Sequence, residues 1–236
     1  MIEVDHLKAL GFGSSSPLHF WCLPCKRGCC LLCPEILFGT TNPGKFRDIE
    51  VIAKSLPVCL RSPLQLGLSL HVEEHGSRPE DNARIKAEAY CQAAGMPSMA
   101  VDSGLFIDGL SDAQQPGTHV RRVGGVPLSD EAMLEHYSQV IRDLGGHATA
   151  RWITAVVGVL PDGRSHAVTI SNPTKFTAEV CAERTPGNPL NSMQIDPRTG
   201  RYHAQEQPQE IDDNGAANAF QEKVYALFLH FLRMLE

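Results

Sequence analysis

The chain has 236 residues, 42% apolar and 20% charged, with 21 Lys and Arg against 27 Asp and Glu for a net charge of −6. That length supports one large domain or two small lobes around a sizeable core. The acidic balance weighs against a nucleic-acid partner, which needs a basic face, and no run of about twenty apolar residues is present to cross a membrane.

Residues 1–34 differ from the rest. They hold five of the eight cysteines, Cys22, Cys25, Cys29, Cys30 and Cys33. Cys22-Leu-Pro-Cys25 has the spacing of half a zinc site, but the stretch before Cys29 is far shorter than the gap in zinc ribbons. A poorly ordered Cys-rich extension is the expectation, ahead of a structural metal or a redox pair, with the folded domain spanning 35–236. The first residues lack the basic region of a signal peptide, so the expected compartment is the cytoplasm.

Residues 35–39 read as a short buried strand that stops at Gly39. Thr40-Thr41-Asn42-Pro43-Gly44-Lys45 follows, and a helix is predicted over 43–56, with Phe46, Ile49, Ile52, Ala53 and Leu56 on one face. Asn42 is placed to cap it and Pro43 to open it. A helix N-terminus favours an anion, because its first amides lack internal partners. Thr40, Thr41, Asn42 and Lys45 could then surround a phosphate, although an ordinary turn with a solvated lysine would look the same.

The alternation in 66–72 suggests a second strand, ending near Glu74. A helix over 80–94 buries Ala83, Ala87, Tyr90, Cys91 and Ala94, and Gly95 stops it. Asn82 and Lys86 are four apart and share a face. Ser98–Val101 reads as a strand running into Asp102-Ser103-Gly104, and an acid at the carboxyl end of a strand is where open α/β sheets place chemistry. Residues 112–128 read as loop. A helix over 129–144 has Ser129 as its cap and Gly145-Gly146 as its end. Strands follow at 151–160, 166–171 and 175–181, with a turn at Pro161-Asp162-Gly163-Arg164. Residues 184–215 read as a long loop, and 216–235 as a closing amphipathic helix. The order predicts an elongated two-lobed α/β fold on a central mixed sheet, with a cleft between the lobes.

Four polar clusters thus stand at the ends of regular elements: Thr40 to Lys45, Glu74, Asn82 with Lys86, and Asp102-Ser103. Two carboxylates can share Mg²⁺, a hard ion that prefers oxygen donors, and two lysines can neutralise a phosphate chain. Spacing alone does not show that these clusters meet.

The ordered set resembles the inosine triphosphate pyrophosphatase family. Thr40-Thr41-Asn42-Pro43-Gly44-Lys45 is similar to (S/T)-G-N-x-x-K. Glu74-His75-Gly76 with Asp81-Asn82-Ala83-Arg84-Ile85-Lys86-Ala87 is similar to E-x-G-x(4)-E-N-A-x-x-K-A. Ala100-Val101-Asp102-Ser103-Gly104-Leu105 is similar to A-D-D-S-G-L, and Pro116-Gly117 through Arg122 and Gly125 follows a weaker fourth motif. The resemblance implies hydrolysis of a non-canonical purine nucleoside triphosphate to the monophosphate and pyrophosphate. It implies Mg²⁺ held by Glu74 and Asp102, and Asp102, Lys45 and Lys86 as the catalytic groups. It further implies triphosphate contacts from Thr40, Thr41, Asn42, Lys45, Lys86, Ser103 and Arg122, and a homodimer. Val101 departs from the pattern by replacing the first acid of the acidic pair. Towards the C-terminus only Asp196-Pro197 survives of G-F-G-Y-D-P, and Lys223 stands nearest to the arginine of S-H-R. Asp196 and Lys223 are therefore the candidate base-side contacts, in a half of the chain whose rewriting implies an altered base preference. The competing expectation is a relative that binds a nucleotide or a partner without turnover.

Overall fold

The computed structural model describes residues 33–196, 199–206 and 219–235. Cys22, Cys25, Cys29 and Cys30, and hence the expected disorder of the extension, lie outside the described residues, as does Pro197.

Strand β1 (Glu35–Phe38) leads through the Thr40–Asn42 turn into helix α1 (Pro43–Ala53). Asn42 caps α1 with its side-chain oxygen, which accepts from the amides of Gly44 at 2.8 Å and Lys45 at 3.2 Å, and Pro43 opens the helix. After α1 come β2 (Cys59–Arg61), helix α2 (Pro79–Ala94) and β3 (Ser98–Ile107). A small hairpin, β4 (Arg122–Val123) and β5 (Val126–Pro127), precedes helix α3 (Asp130–Asp143). The long strands β6 (His147–Val159) and β7 (Ser165–Thr177), the short β8 (Gln194–Ile195) and helix α4 (Ala219–Met234) complete the described elements.

Six strands form one mixed sheet in the order β2-β1-β3-β6-β7-β8. β2 and β3 run parallel to β1, whereas β6, β7 and β8 are added antiparallel in turn. Side chains alternate between the faces of a strand. On β3, Met99 and Val101 therefore enter the core built with α1 and α4, and Ala100 packs with Ala83, Ala87 and Cys91 of α2 on the other face. Further along the first face, Leu105 and Ile107 join Met133, Leu134, Tyr137 and Ile141 of α3 in a second core. Two cores at opposite ends of the same long strands make the two lobes that the element order predicted. Ser103 and Thr154 sit between them and share a hydrogen bond of 3.1 Å.

Several predicted elements change. The strand expected over 66–72 is absent: Leu66 ends a 3-10 turn, Gly67 takes φ 65°, residues 68–76 form no regular element, and the alternating Leu70 and Val72 line a shallow cavity with Ile85, Ala89 and Ala93 of α2. The alternation is real, but its half-buried apolar side faces a helix across a cavity instead of joining a sheet. The outer parallel neighbour of β1 is β2, whose three residues are too few for periodicity to reveal. The segment 112–128 contains the β4–β5 hairpin, turned by Gly124 and Gly125, both at positive φ. The strands expected at 166–171 and 175–181 are one strand. Its Pro173 is tolerated because β8 pairs only with Lys175 and Phe176, which leaves β7 an outer edge at that point. The region 184–215 holds short 3-10 turns at Pro189–Ser192 and His203–Gln205 as well as β8.

Candidate active site

β3 is longer than β1, and this difference opens the site. β1 pairs with β3 only as far as Phe38 opposite Met99, and the Gly39 amide then donates to the Met99 carbonyl at 2.7 Å. The same edge is covered again where Leu105 and Gly117 exchange backbone hydrogen bonds of 2.9 and 3.0 Å. Between these closures Val101, Asp102 and Ser103 form an open window. Asp102 thus lies within a continuous ten-residue strand, not at the carboxyl end of a four-residue one. The strand end that matters is that of β1.

Asp102 is 6% exposed and turns towards α2. The Lys86 ammonium donates to Asp102 Oδ1 at 2.8 Å and to Glu74 Oε2 at 2.8 Å. Asn82, one helical turn before Lys86, donates to Asp102 Oδ2 at 3.4 Å, and its own oxygen accepts from the Gly76 amide at 2.7 Å. Helix α2 therefore holds Asp102 through both oxygens and also holds the loop that carries Glu74. Gly39 permits the close approach of the β1–α1 turn to this helix, since a Cβ there would lie 2.3 Å from the Tyr90 ring.

Lys45, in the first turn of α1, faces the cluster. Burial, and next the positive charge of Lys86, lower its pKa, while Asp102, Glu74 and Asp48 act in the opposite sense. Among the described residues Lys45 forms no ion pair, although Lys86 forms two. Lys45, Glu74, Lys86 and Asp102 thus come together from four separate elements.

The other candidates are placed differently. The Thr40 hydroxyl accepts from the Asn42 amide at 3.2 Å, Thr41 is exposed, and Ser103 bonds to Thr154. The α1 amides expected to meet a phosphate are engaged by Asn42, so this helix terminus offers its lysine in place of the Gly44 and Lys45 N–H groups. The Asn42 side-chain Nδ2 donates to Gly187 O at 3.3 Å, and Arg47 donates to Pro186 O at 3.3 Å. The 184–188 segment is thereby strapped to the start of α1, a contact that no sequence pattern signalled. Arg122 is exposed on β4, Lys223 is exposed on α4, and Asp196 is buried beyond β8. None of these three is among the charges acting on Lys45. Asn82 was legible as a neighbour of Lys86 and as part of the second motif, and its link to Gly76 and Asp102 is the contact that spacing missed.

The cluster fits a divalent cation by its chemistry. Two carboxylates already converge on one cation, the Lys86 ammonium, and both offer the hard oxygens that Mg²⁺ prefers. Among the described residues no group of three or more His, Cys, Asp and Glu side chains is arranged to hold a metal. The two carboxylates would leave coordination positions to water and to phosphate oxygens, as is usual for Mg²⁺. Val101 supplies no further acid, because its side chain enters the apolar core with Ile36 and Phe38.

Fold and cluster define a two-lobed α/β protein with a charged site at an open sheet edge. The chain belongs to the Ham1 family, whose model matches residues 36–180. It is 31% identical over 142 residues to a protein named dITP/XTP pyrophosphatase from Bacillus subtilis (strain 168), covering 58% of this chain and 69% of that one. It is 40% identical over 89 residues to another of that name from Anaeromyxobacter sp. (strain Fw109-5), covering 37% of this chain and only 38% of the relative. Among solved structures, a HAM1 protein from Coxiella burnetii shares the fold with a TM-score of 0.66 at 20% identity, over 84% of this chain and 99% of that one. The Staphylococcus aureus Ham1 protein matches with a TM-score of 0.61 at 24% identity, over 81% of this chain and 98% of that one. The family resemblance carried by the sequence motifs is borne out.

Proposed function

We propose that this protein is a Mg²⁺-dependent pyrophosphatase of non-canonical purine nucleoside triphosphates, with a base preference altered from that of its relatives. The observation that carries this reading is the convergence of Lys45, Glu74, Lys86 and Asp102 at the open edge of β3. Relatives named dITP/XTP pyrophosphatase supply the substrate class.

In this reading Lys45, unpaired and partly desolvated, takes the charge of the phosphate chain. Asp102, fixed through both oxygens, orients a water molecule towards the α-phosphorus and accepts its proton. The water oxygen forms the new bond to that phosphorus, and the bond from phosphorus to the bridging oxygen breaks. Pyrophosphate and the nucleoside monophosphate leave. Lys86 stabilises charge on the departing pyrophosphate. Mg²⁺, held by Glu74 and Asp102, would neutralise phosphate charge and polarise the water. Thr40, Thr41, Asn42 and Ser103 would contact the phosphate chain, while Arg122, Asp196 and Lys223 belong to the proposal as outer contacts that closure of the cleft would have to bring in. A homodimer and a cytoplasmic location complete the reading.

The test mixes purified protein and Mg²⁺ with inosine, xanthosine, deoxyinosine and the standard nucleoside triphosphates, and assays pyrophosphate and monophosphate. Turnover of one or more is expected. A well-folded sample that turns over none of them would sink the enzyme reading. One observation favours a second reading, binding without turnover: Val101, in place of an acid, is buried in the α1/α4 core. Nucleotide binding by calorimetry without product would select that reading.

A further inference from the structure

Lys86 occupies the point at which Glu74 and Asp102 converge. Its ammonium lies 2.8 Å from an oxygen of each, and its side chain is only 13% exposed. Lys45, the second lysine of the cluster, takes no such partner. The two lysines therefore do different work in the same site. One bridges the two acids, leaving that trio with a single net negative charge, and the other forms no ion pair among the described residues. The ammonium and a divalent ion seek the same oxygens, and a like charge beside a cation raises its energy. They cannot share that position.

We propose that Lys86 is an internal stand-in for the divalent cation: without metal it bridges Glu74 and Asp102 and offsets one of their two charges, and metal binding displaces its ammonium towards the phosphate side of the site. This rests on the proposed function for the identity of the ligands, but the exchange itself is a property of the three side chains. Two consequences follow. In the metal-free site Lys86 offsets the like-charge repulsion that would drive Glu74 and Asp102 apart, and it keeps the buried Asp102 from standing as an uncompensated charge, which is costly. Metal binding also creates a phosphate contact by releasing a lysine, so metal and phosphate ligands favour one another through a reciprocal coupling. The geometry leaves Lys86 a short swing for this exchange, because its Cα is anchored on α2 beside the buried Asn82 and Ala83, while the end of its side chain is held by ion pairs alone.

The exchange is tested on the full chain in two ways. First, Mn²⁺ binding to nucleotide-free protein is titrated by electron paramagnetic resonance for the wild type, Lys86→Met and Lys86→Gln. Removing the competing ammonium is expected to tighten Mn²⁺ binding by roughly tenfold, within the usual range of coupling between two sites. Equal or weaker binding in folded variants overturns the proposal. Second, the wild type is acylated with and without Mg²⁺, and the modification of Lys86 is followed by mass spectrometry, which does not depend on the folding of any variant. Mg²⁺ is expected to raise the labelling rate of Lys86 relative to exposed Lys54, and an unchanged or lower ratio overturns the proposal. Neither readout uses turnover. Absence of turnover in the nucleotide panel would therefore defeat the enzymatic reading alone, and a failed exchange with intact turnover would defeat this inference alone.

Discussion

The Gly76 amide donates to Asn82 Oδ1 across 2.7 Å, and a Cβ on Gly76 would stand 2.7 Å from that same oxygen and 2.6 Å from the Asp81 Cβ. Glycine is required here by close approach, since the backbone must reach the side chain that also holds Asp102. Gly76→Ala is expected to push the 73–76 loop away from α2 and withdraw Glu74 from Lys86. Partners that orient metal ligands typically contribute about 10–100-fold in metal affinity or activity. A loss of Mn²⁺ affinity and turnover in that range is expected, with helix content unchanged by circular dichroism. A variant with normal affinity would show that Glu74 does not depend on this contact.

Asp102→Asn keeps the shape of the side chain and the chance to meet Asn82, but removes the charge that faces Lys86. Lys86 retains Glu74, so the fold is expected to persist. Loss of an oriented general base typically costs about 10²–10⁴ in rate. Product formation should fall by at least that range in a steady-state assay, with a cooperative urea transition retained. Near-normal rates would place the water-activating group elsewhere.

Much of this site was legible because its residues lie in local patterns. Asn42 before Pro43 signals a cap, the stripe from Ala83 to Cys91 signals α2, and Ser129 signals the start of α3. Helical periodicity and capping act over a few residues, so a single chain reveals them. The remainder depends on partners distant in sequence. The open edge at Asp102 arises from β1 stopping three residues short of it, which a strand's own sequence cannot report. The continuity of β7 through Pro173 depends on β8 being short. The segment around Leu70 alternates as a strand does, and only the presence of the α2 surface decides where its apolar side goes.

The cap itself is open to measurement. Asn42 accepts two α1 amides and donates to Gly187 O, so it fixes both the helix start and the strap from the second lobe. Replacing an N-cap by alanine costs about 1 kcal/mol. Asn42→Ala is expected to lower the urea midpoint accordingly and to weaken phosphate binding through misplacement of Lys45. Asn42→Asp keeps the capping oxygen but cannot donate to Gly187, so it should recover most of the stability while losing the strap. Equal stability of all three proteins would refute the capping role.

His166 on β7 and His230 on α4 stack with ring centroids 3.9 Å apart. Burial, and then the neighbouring His230, lower the His166 pKa from its usual 6.5. A histidine depressed in the fold is neutral there at a pH where the unfolded chain already takes up a proton. Stability is thus full above the unfolded value and declines as pH falls through it towards the folded one. The urea midpoint should drop between pH 7.5 and pH 5.5, and His166→Gln should make that drop smaller. An identical drop in the variant would exclude this pair as its source.

Lys45 gives the opposite relation between stability and function. Its pKa is lowered in the fold, first by burial and next by Lys86, so the charged form opposes folding at neutral pH. That opposition eases as pH rises through the folded value and is absent above the unfolded value near 10.5, where the residue is neutral in both states. Lys45→Met keeps the length of the side chain and removes the charge. It is expected to raise the thermal midpoint at pH 7, with the gain shrinking as pH approaches 10. Pyrophosphate, the anionic product of the proposed reaction, is expected to stabilise the wild type by ligand linkage and the variant much less. The two effects have opposite signs because one positive charge, left unpaired by the fold, is the feature an anion needs. A variant that is less stable than the wild type at pH 7, or equally stabilised by pyrophosphate, would remove Lys45 from the anion site.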